Sequence, residues 1–567
     1  MQPQTETLEQ LNMRDPAQVM RLARLGSFHQ SRLSFMRILT RRMTKDAWTF
    51  SRPVFDIDGT GVGHAIYCAH TPDRTYSLIA FAHDLPAESR SDRVIATAWD
   101  STFALFDGVP TEDDIARLRE NIPLQEAGRV TETELAVSRA NRSVRLWEHV
   151  VSRLASGQQP DIDAISDVGY LMRTTAVYGS GKLGAADREA IASRPECAAP
   201  FQIEMLSVFL TRAYVRDLVQ HLANARGKEN AVALAPEIAR SMGIGNSTGL
   251  GMAPFLLNHP KLFHCWIKAR ETAIARVRNL SHASAAQVET FRDLLARSIL
   301  SAKHWRSDHD IQIEKLGILR RDLQKLADHV SDADLRTNHP WDRLYSWAEG
   351  TLGLDAQECL ASLMLEPYGD LVDPLADQMS DTDATTFRIN GAMQLAELKD
   401  ILEHDYDWAL NTDWTVQDTH ARVWYVSEEK LEPRLGERFE EPIADYEQPL
   451  APGRDAAALH KALASWDAHA QVAEFLLAHP EHRHMVRRIQ IVDRAPYAEI
   501  RDNTIGSDLM PIDMLRCKLS FFGATHFDPR SDRWVRICLF GNAPYPEELQ
   551  TFEADDWPYP PLDPTVS

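Results

Sequence analysis

The sequence predicts an α+β protein in which a large, mainly helical central region is flanked by antiparallel β-meander regions. Three observations predict it. Apolar residues alternate with period two over 52–107, recur at helical spacing over 110–410, and alternate again beyond 421. No crossover helix separates the early strands, so antiparallel pairing is expected. A short meander leaves open edges, so the β regions from the two ends of the chain are expected to pair or pack together. The divisions that follow are a basic helical segment, 1–50; an antiparallel β region, 51–108; a mainly helical region with a glycine-rich loop, 109–414; a mixed region with antiparallel strands, 415–542; and a proline-rich tail, 543–567.

Along the chain, residues 15–45 read as one basic amphipathic helix. Leu22, Leu25, Phe28, Met36, Leu39 and Met43 supply its apolar positions, and Arg21, Arg24, Arg32, Arg37, Arg41 and Arg42 its charge. The chain as a whole carries a formal charge of −21, so this helix is expected to dock on an acidic body or on the partner in a homodimer. Residues 64–70 and 75–83, joined by a turn containing Pro72 and Asp73, read as a β-hairpin, and 93–99 with 102–106 as a further antiparallel pair. Helices are expected at 112–121, 131–156, 201–225, 230–241, 262–279, 286–304, 310–330, 355–365, 391–405 and 456–478. Strands are expected again at 421–426, 486–492, 515–522 and 534–540.

The 567 residues are 44% hydrophobic and 25% charged, ordinary values for a globular protein with a sizeable core. The acidic balance argues against nucleic acid, whose phosphates need a basic face. Six scattered cysteines form no C-x-x-C pair, which sets aside the common cysteine zinc sites and fits a reducing compartment. No apolar run approaches a membrane span, and the first residues have no secretory pattern, so the expectation is a cytoplasmic protein without membrane partners.

The chemistry centres on Ser241-Met-Gly-Ile-Gly-Asn-Ser-Thr-Gly-Leu-Gly251. Glycine allows backbone amides to approach a ligand closely, and a following helix would aim its positive end at the same anion. Gly245, Asn246, Ser247 and Thr248 are therefore the expected binders of a phosphate or carboxylate. A buried anion also wants a cation opposite. The other glycine-loosened, cation-rich stretch, 171–187, offers Arg173, Tyr178 and Lys182. His304 and Asp308, four apart, would share one helix face and form a proton-transfer pair. Tyr178 and Lys182 are the further candidates for moving protons. No metal ligand set is assigned and the cofactor is left unknown, none being predicted from the sequence; a divalent metal is the minor alternative, for which His304 and Asp308 would need a further donor such as His259, His264 or His282.

Two short stretches are similar to known families. Val54-Phe-Asp-Ile-Asp58-Gly-Thr60 resembles the Asp-x-Asp-Gly-Thr signature of haloacid-dehalogenase-type phosphatases. The resemblance implies Asp56 as nucleophile, Asp58 as general acid and Mg²⁺ between them. Gly249-Leu-Gly-Met-Ala-Pro254 resembles a loop of the helical ammonia-lyases, without their Ala-Ser-Gly triplet. Gly179-Ser-Gly-Lys182 contains half of a phosphate-binding loop, but leucine stands where Ser or Thr would hold Mg²⁺. The expected function is an enzyme acting on a small anionic metabolite, by lyase or hydrolase acid–base chemistry without a nucleotide. The alternatives are a ligand-binding or scaffold protein assembled through its N-terminal helix, and the Mg²⁺-dependent phosphatase.

Overall fold

The computed structural model describes residues 13–86, 89, 98–124, 131–178, 191, 193–248, 260–332, 335–379, 388–415, 424–427, 433–435, 447–450, 452–502, 511–524, 526–529, 535–551 and 557–560. Its centre is a nine-stranded sheet. Seven strands come from the first half of the chain: β1 (Thr49–Ile57), β2 (Gly63–His70), β3 (Thr75–Ala82), β4 (Ser101–Asp107), β5 (Glu134–Arg142), β6 (Tyr170–Tyr178) and β7 (Gly243–Thr248). Strands β8 (Trp424–Ser427), β9 (Pro433–Leu435) and β10 (Glu447–Leu450) make a separate three-stranded sheet. The last two, β11 (His526–Pro529) and β12 (Val535–Leu539), return to the large sheet, whose order is β1-β2-β3-β4-β5-β6-β7-β12-β11. The fold is thus α+β, and strands from the two chain ends share one sheet.

The β2–β3 hairpin forms as its sequence dictates. His70 pairs with Thr75, and the Thr71 hydroxyl accepts from the amides of Asp73 and Arg74 to close the turn. Every neighbouring pair in the large sheet is antiparallel except β6–β7, which run parallel. Parallel neighbours need a crossover, and helices between the two strands supply it.

The helices before that crossover are α1 (Pro16–Val19), α2 (Leu22–Leu25), α3 (Phe35–Lys45), α4 (Glu112–Leu124), α5 (Trp147–Ala155) and α6 (Ile162–Val168). The crossover holds α7 (Gln202–Gly227) and α8 (Pro236–Ser241). Buried along most of its length, α7 packs across β2 to β7 on one face of the sheet. On the opposite face α4 covers β4 and β5, and Ile115, Leu118 and Ile122 meet Ile79, Phe81, Ala104 and Phe106. A helical layer follows: α9 (Pro260–Arg278), α10 (Ala285–His304), α11 (Asp310–Asp332), α12 (Pro340–Thr351) and α13 (Leu354–Leu363). Helices α14 (Leu395–Asp405), α15 (Pro452–Leu463), α16 (Val472–Ala478) and α17 (Arg483–Arg494) enclose their own core around Leu398, Leu402, Leu459, Phe475 and Ile489. Finally, α18 (Pro511–Phe522) packs on α2, α3 and β12.

Several expectations are corrected. The single helix over 15–45 is three helices, broken where Arg21 is extended and again across residues 26–34. The helix over 131–156 is β5 followed by α5; pairing with β4 and β6 outweighs the helix-forming composition of 134–140. The strands at 486–492 and 515–522 are the helices α17 and α18. In α17, Met485, Val486, Ile489 and Val492 recur at helical spacing and are buried, while Arg483 and Arg487 face water. The helix over 456–478 is two, α15 and α16. The expected strand at 93–99 falls largely outside the described residues.

The arginines of the N-terminal segment are satisfied within the chain. Arg37 forms a fork with Glu366 at 2.6 and 2.7 Å, Arg32 one with Asp373 at 2.8 and 2.7 Å, and Arg21 reaches Asp502 at 2.9 Å. Arg41 and Arg42 meet Asp373 and Asp377. Deepest is a hub in which Arg14, Arg24 and Arg270 converge on Glu358, with Glu271 also bound by Arg14 and Arg270. Residues 13–45 thus form a strap laid over the helical layer, with α2 and α3 held against α13 and α18.

Candidate functional site

The two segments expected to converge lie side by side. In the parallel pair β6–β7, Arg173 stands beside Gly245 and Thr174 beside Asn246, and the Asn246 amide donates to the Thr174 hydroxyl at 3.3 Å. Arg173 is only 2% exposed, and Thr174 is buried next to it. On its other side Arg173 pairs with Asn141 of β5. The Asn141 side chain accepts from the Asp100 amide at 2.8 Å, and the Asp100 carboxylate accepts from the Arg142 amide at 2.9 Å. A row of polar groups, buried from Asp100 to Thr174 and partly buried at Asn246, therefore crosses the sheet from the residue before β4 to β7.

The glycine-rich stretch is not a loop where it is described: Gly243–Thr248 is strand β7. Its glycines are required by close packing. A Cβ on Gly245 would sit 2.5 Å from the Tyr170 ring, and one on Gly243 would collide with the Leu539 carbonyl oxygen. Gly245 and Asn246 pair on the far side with Cys538 and Ile537 of β12. Ser247 and Thr248 pair through their backbones with Arg536 and Val535. Tyr178 closes β6 opposite Val137. Lys182, with 179–190, and residues 249–259 lie outside the described residues.

His304 and Asp308 are not a helical pair. The helix α10 ends at His304, Trp305 is extended, and both titratable residues are exposed. The segment instead contributes Trp305, whose ring stacks on His29 with centroids 5.5 Å apart. Nothing in the sequence pattern pointed to His29.

Asp56 and Asp58 are exposed on an antiparallel edge strand and its turn, not at the carboxyl end of a central parallel strand. The Asp58 carboxylate accepts from the Thr60 hydroxyl at 2.6 Å and from the amides of Thr60 and Val62. These bonds hold its pKa below the ordinary value, as expected of a turn-former. Among the described residues, no group of three or more His, Cys, Asp or Glu is arranged to hold a metal ion. Burial pushes the thiols of Cys359, Cys517 and Cys538 up to about 12, which disfavours the thiolate needed for nucleophilic attack. Among the described residues no helix is long and apolar enough to cross a membrane.

No family model matches the chain, and the comparisons with curated proteins and with solved structures also return no match.

Proposed function

We propose that the chain binds a small carboxylate- or phosphate-bearing molecule along the β6–β7 seam, with Arg173 as its cation and Thr174 and Asn246 as neutral hydrogen-bonding partners. The observation that supports this reading is the register that sets Arg173 beside Gly245 and Thr174 beside Asn246. Arginine offers a planar fork suited to either anion, and water exclusion around a buried side chain strengthens such a contact. This pair is also where an otherwise antiparallel sheet changes direction. By analogy with open α/β sheets, a change in strand order creates a crevice at the carboxyl ends.

Lyase or hydrolase turnover is the catalytic form of the same proposal. His304 and Asp308 are not carried into it, because both are exposed beyond the end of α10. The test is a thermal-shift screen of carboxylates and phosphates followed by calorimetric titration, with substrate loss and product formation monitored for every binder. Arg173→Met and Asn246→Ala are each expected to weaken binding at least tenfold. Undiminished affinity in both variants would reject the seam as the site.

A further inference from the structure

We propose that Ser51 is an acyl-acceptor site, distinct from the β6–β7 seam, at which His70 activates the serine hydroxyl toward an uncharged activated ester or thioester. Three side chains on consecutive strands make the site. Ser51 Oγ of β1 lies 2.9 Å from His70 Nε2 of β2, and His70 Nδ1 lies 3.0 Å from Thr75 Oγ1 of β3. The register accounts for this line. His70 stands opposite Thr75, and Ser51 stands opposite Cys68, two residues along β2 from His70 and so on the same face. General-base activation requires these contacts: a nucleophile bonded to a base, and the base oriented by a third group. In the reactive tautomer Nδ1 carries the proton, bonded to Thr75, and the Nε2 lone pair accepts the Ser51 O–H. The nearby Ser77 hydroxyl is directed elsewhere, donating to the Gly108 carbonyl oxygen at 2.6 Å.

Position and charge specify the donor. Ser51 is exposed on the outermost strand of the large sheet, within reach of a molecule in solution, while His70 and Thr75 are partly buried and held between strands. The cations nearest to them in the chain are engaged: Arg52 pairs with Asp217 at 2.5 Å, and Arg74 approaches Glu196 at 3.7 Å. An anionic phosphoryl donor gains little from such surroundings, and an uncharged acyl donor loses nothing. In the step, Ser51 Oγ bonds to the acyl carbon as its proton passes to His70 Nε2. The bond from that carbon to the leaving oxygen or sulfur breaks, and the imidazolium returns the proton to the leaving group or to water. The products are an ester on Ser51 and a free alcohol or thiol.

The experiment treats the full chain with p-nitrophenyl acetate at neutral pH and follows acetylation of each residue by peptide mapping and mass spectrometry. Ser51 should be acetylated well ahead of Ser156, an exposed serine whose hydroxyl is bonded to the Arg153 carbonyl oxygen. His70→Gln should slow the reaction at Ser51 by about 10²-fold, the lower end of what general-base assistance contributes, and leave Ser156 unchanged. Thr75 is a positioning residue, so Thr75→Val should slow Ser51 and Thr75→Ser should restore it. Arg173→Met should react at the parent's rate, which separates this site from the seam. Acetylation of Ser51 no faster than that of Ser156, or an equal rate at Ser51 in His70→Gln, overturns the proposal. The comparison of Ser51 with Ser156 in the parent alone decides the matter if a variant does not fold.

Discussion

Arg212 lies flat against the ring of Tyr545, with 3.9 Å between its guanidinium carbon and the ring centroid. Its nitrogens donate to the carbonyl oxygens of Met242, Ala543 and Arg240, each at 2.8 Å. One fully buried cation therefore ties α7 to the start of β7 and to the segment after β12, the junction at which the C-terminal strands enter the sheet.

Replacing Arg212 with methionine keeps much of the volume but strands three buried carbonyl oxygens. The expected loss is about 3–5 kcal/mol, as for one partner removed from a buried charged network. Arg212→Lys should recover only part of it, because an ammonium lacks the fork that reaches three acceptors. Urea unfolding midpoints measure both variants. A methionine variant as stable as the parent would mean that these bonds do not hold the junction.

Glu358 is the anionic centre of the strap. Burial alone would raise its pKa, but Arg14, Arg270 and Arg24 together hold it well below the usual carboxylate range. A depressed folded-state pKa gives stability that is fully present above the unfolded value of about 4.3 and is lost as pH falls toward the folded value. Glu358→Gln should therefore cost about 3–5 kcal/mol at neutral pH, and its deficit against the parent should narrow below about pH 4. A deficit independent of pH down to acid unfolding would show that charge at this position contributes nothing.

The glycines make opposite predictions at two places. Gly245→Ala drives a methyl group into the Tyr170 ring and should cost about 1–3 kcal/mol as overpacking. Gly350, in α12, has nothing within 4 Å of a built Cβ, so Gly350→Ala should stabilise by about 0.5–1 kcal/mol through helix propensity. Calorimetric melting of the pair reads both signs in one experiment.

These glycines also show what was legible in the sequence. The long helices of the central region and the β2–β3 hairpin follow from periodicity and turn chemistry that act locally. The union of β12 with β7 follows from the need to cover open edges. Other assignments depended on partners distant in the chain. Gly243 and Gly245 read as a loop because glycine's commonest role is a turn, whereas here Leu539 and Tyr170 crowd a strand. The run 486–492 is rich in valine and isoleucine, and a short apolar run fits a strand or a buried helix equally well until its neighbours are known. The strap's arginines were legible as seeking acidic partners. That Glu358 and Glu366 would be those partners was not, because they lie more than three hundred residues away. His29 carries no motif; its unusual position arises only where the strap turns against Trp305.

The outer edge of the large sheet makes the last prediction. Strand β1 is an edge, and its register with β2 slips between Ser51 and Val54, around Pro53. Proline removes a donor from the exposed ladder, and the irregularity bends the edge away from a flat template, both known defences against edge-to-edge pairing. Arg52 adds charge there; it is paired with Asp217 at 2.5 Å and lies 4.8 Å over the Phe55 ring. Pro53→Val restores the donor and a β-branched side chain at a solvent-facing position, so chain stability should change by less than about 0.5 kcal/mol. Self-association should nevertheless rise. Light scattering behind size exclusion is expected to show a concentration-dependent increase in mass for Pro53→Val, and a larger one for Arg52→Thr/Pro53→Val, while the parent keeps its own mass over the same range. Masses equal to the parent's in both variants would mean that the edge is protected by other means.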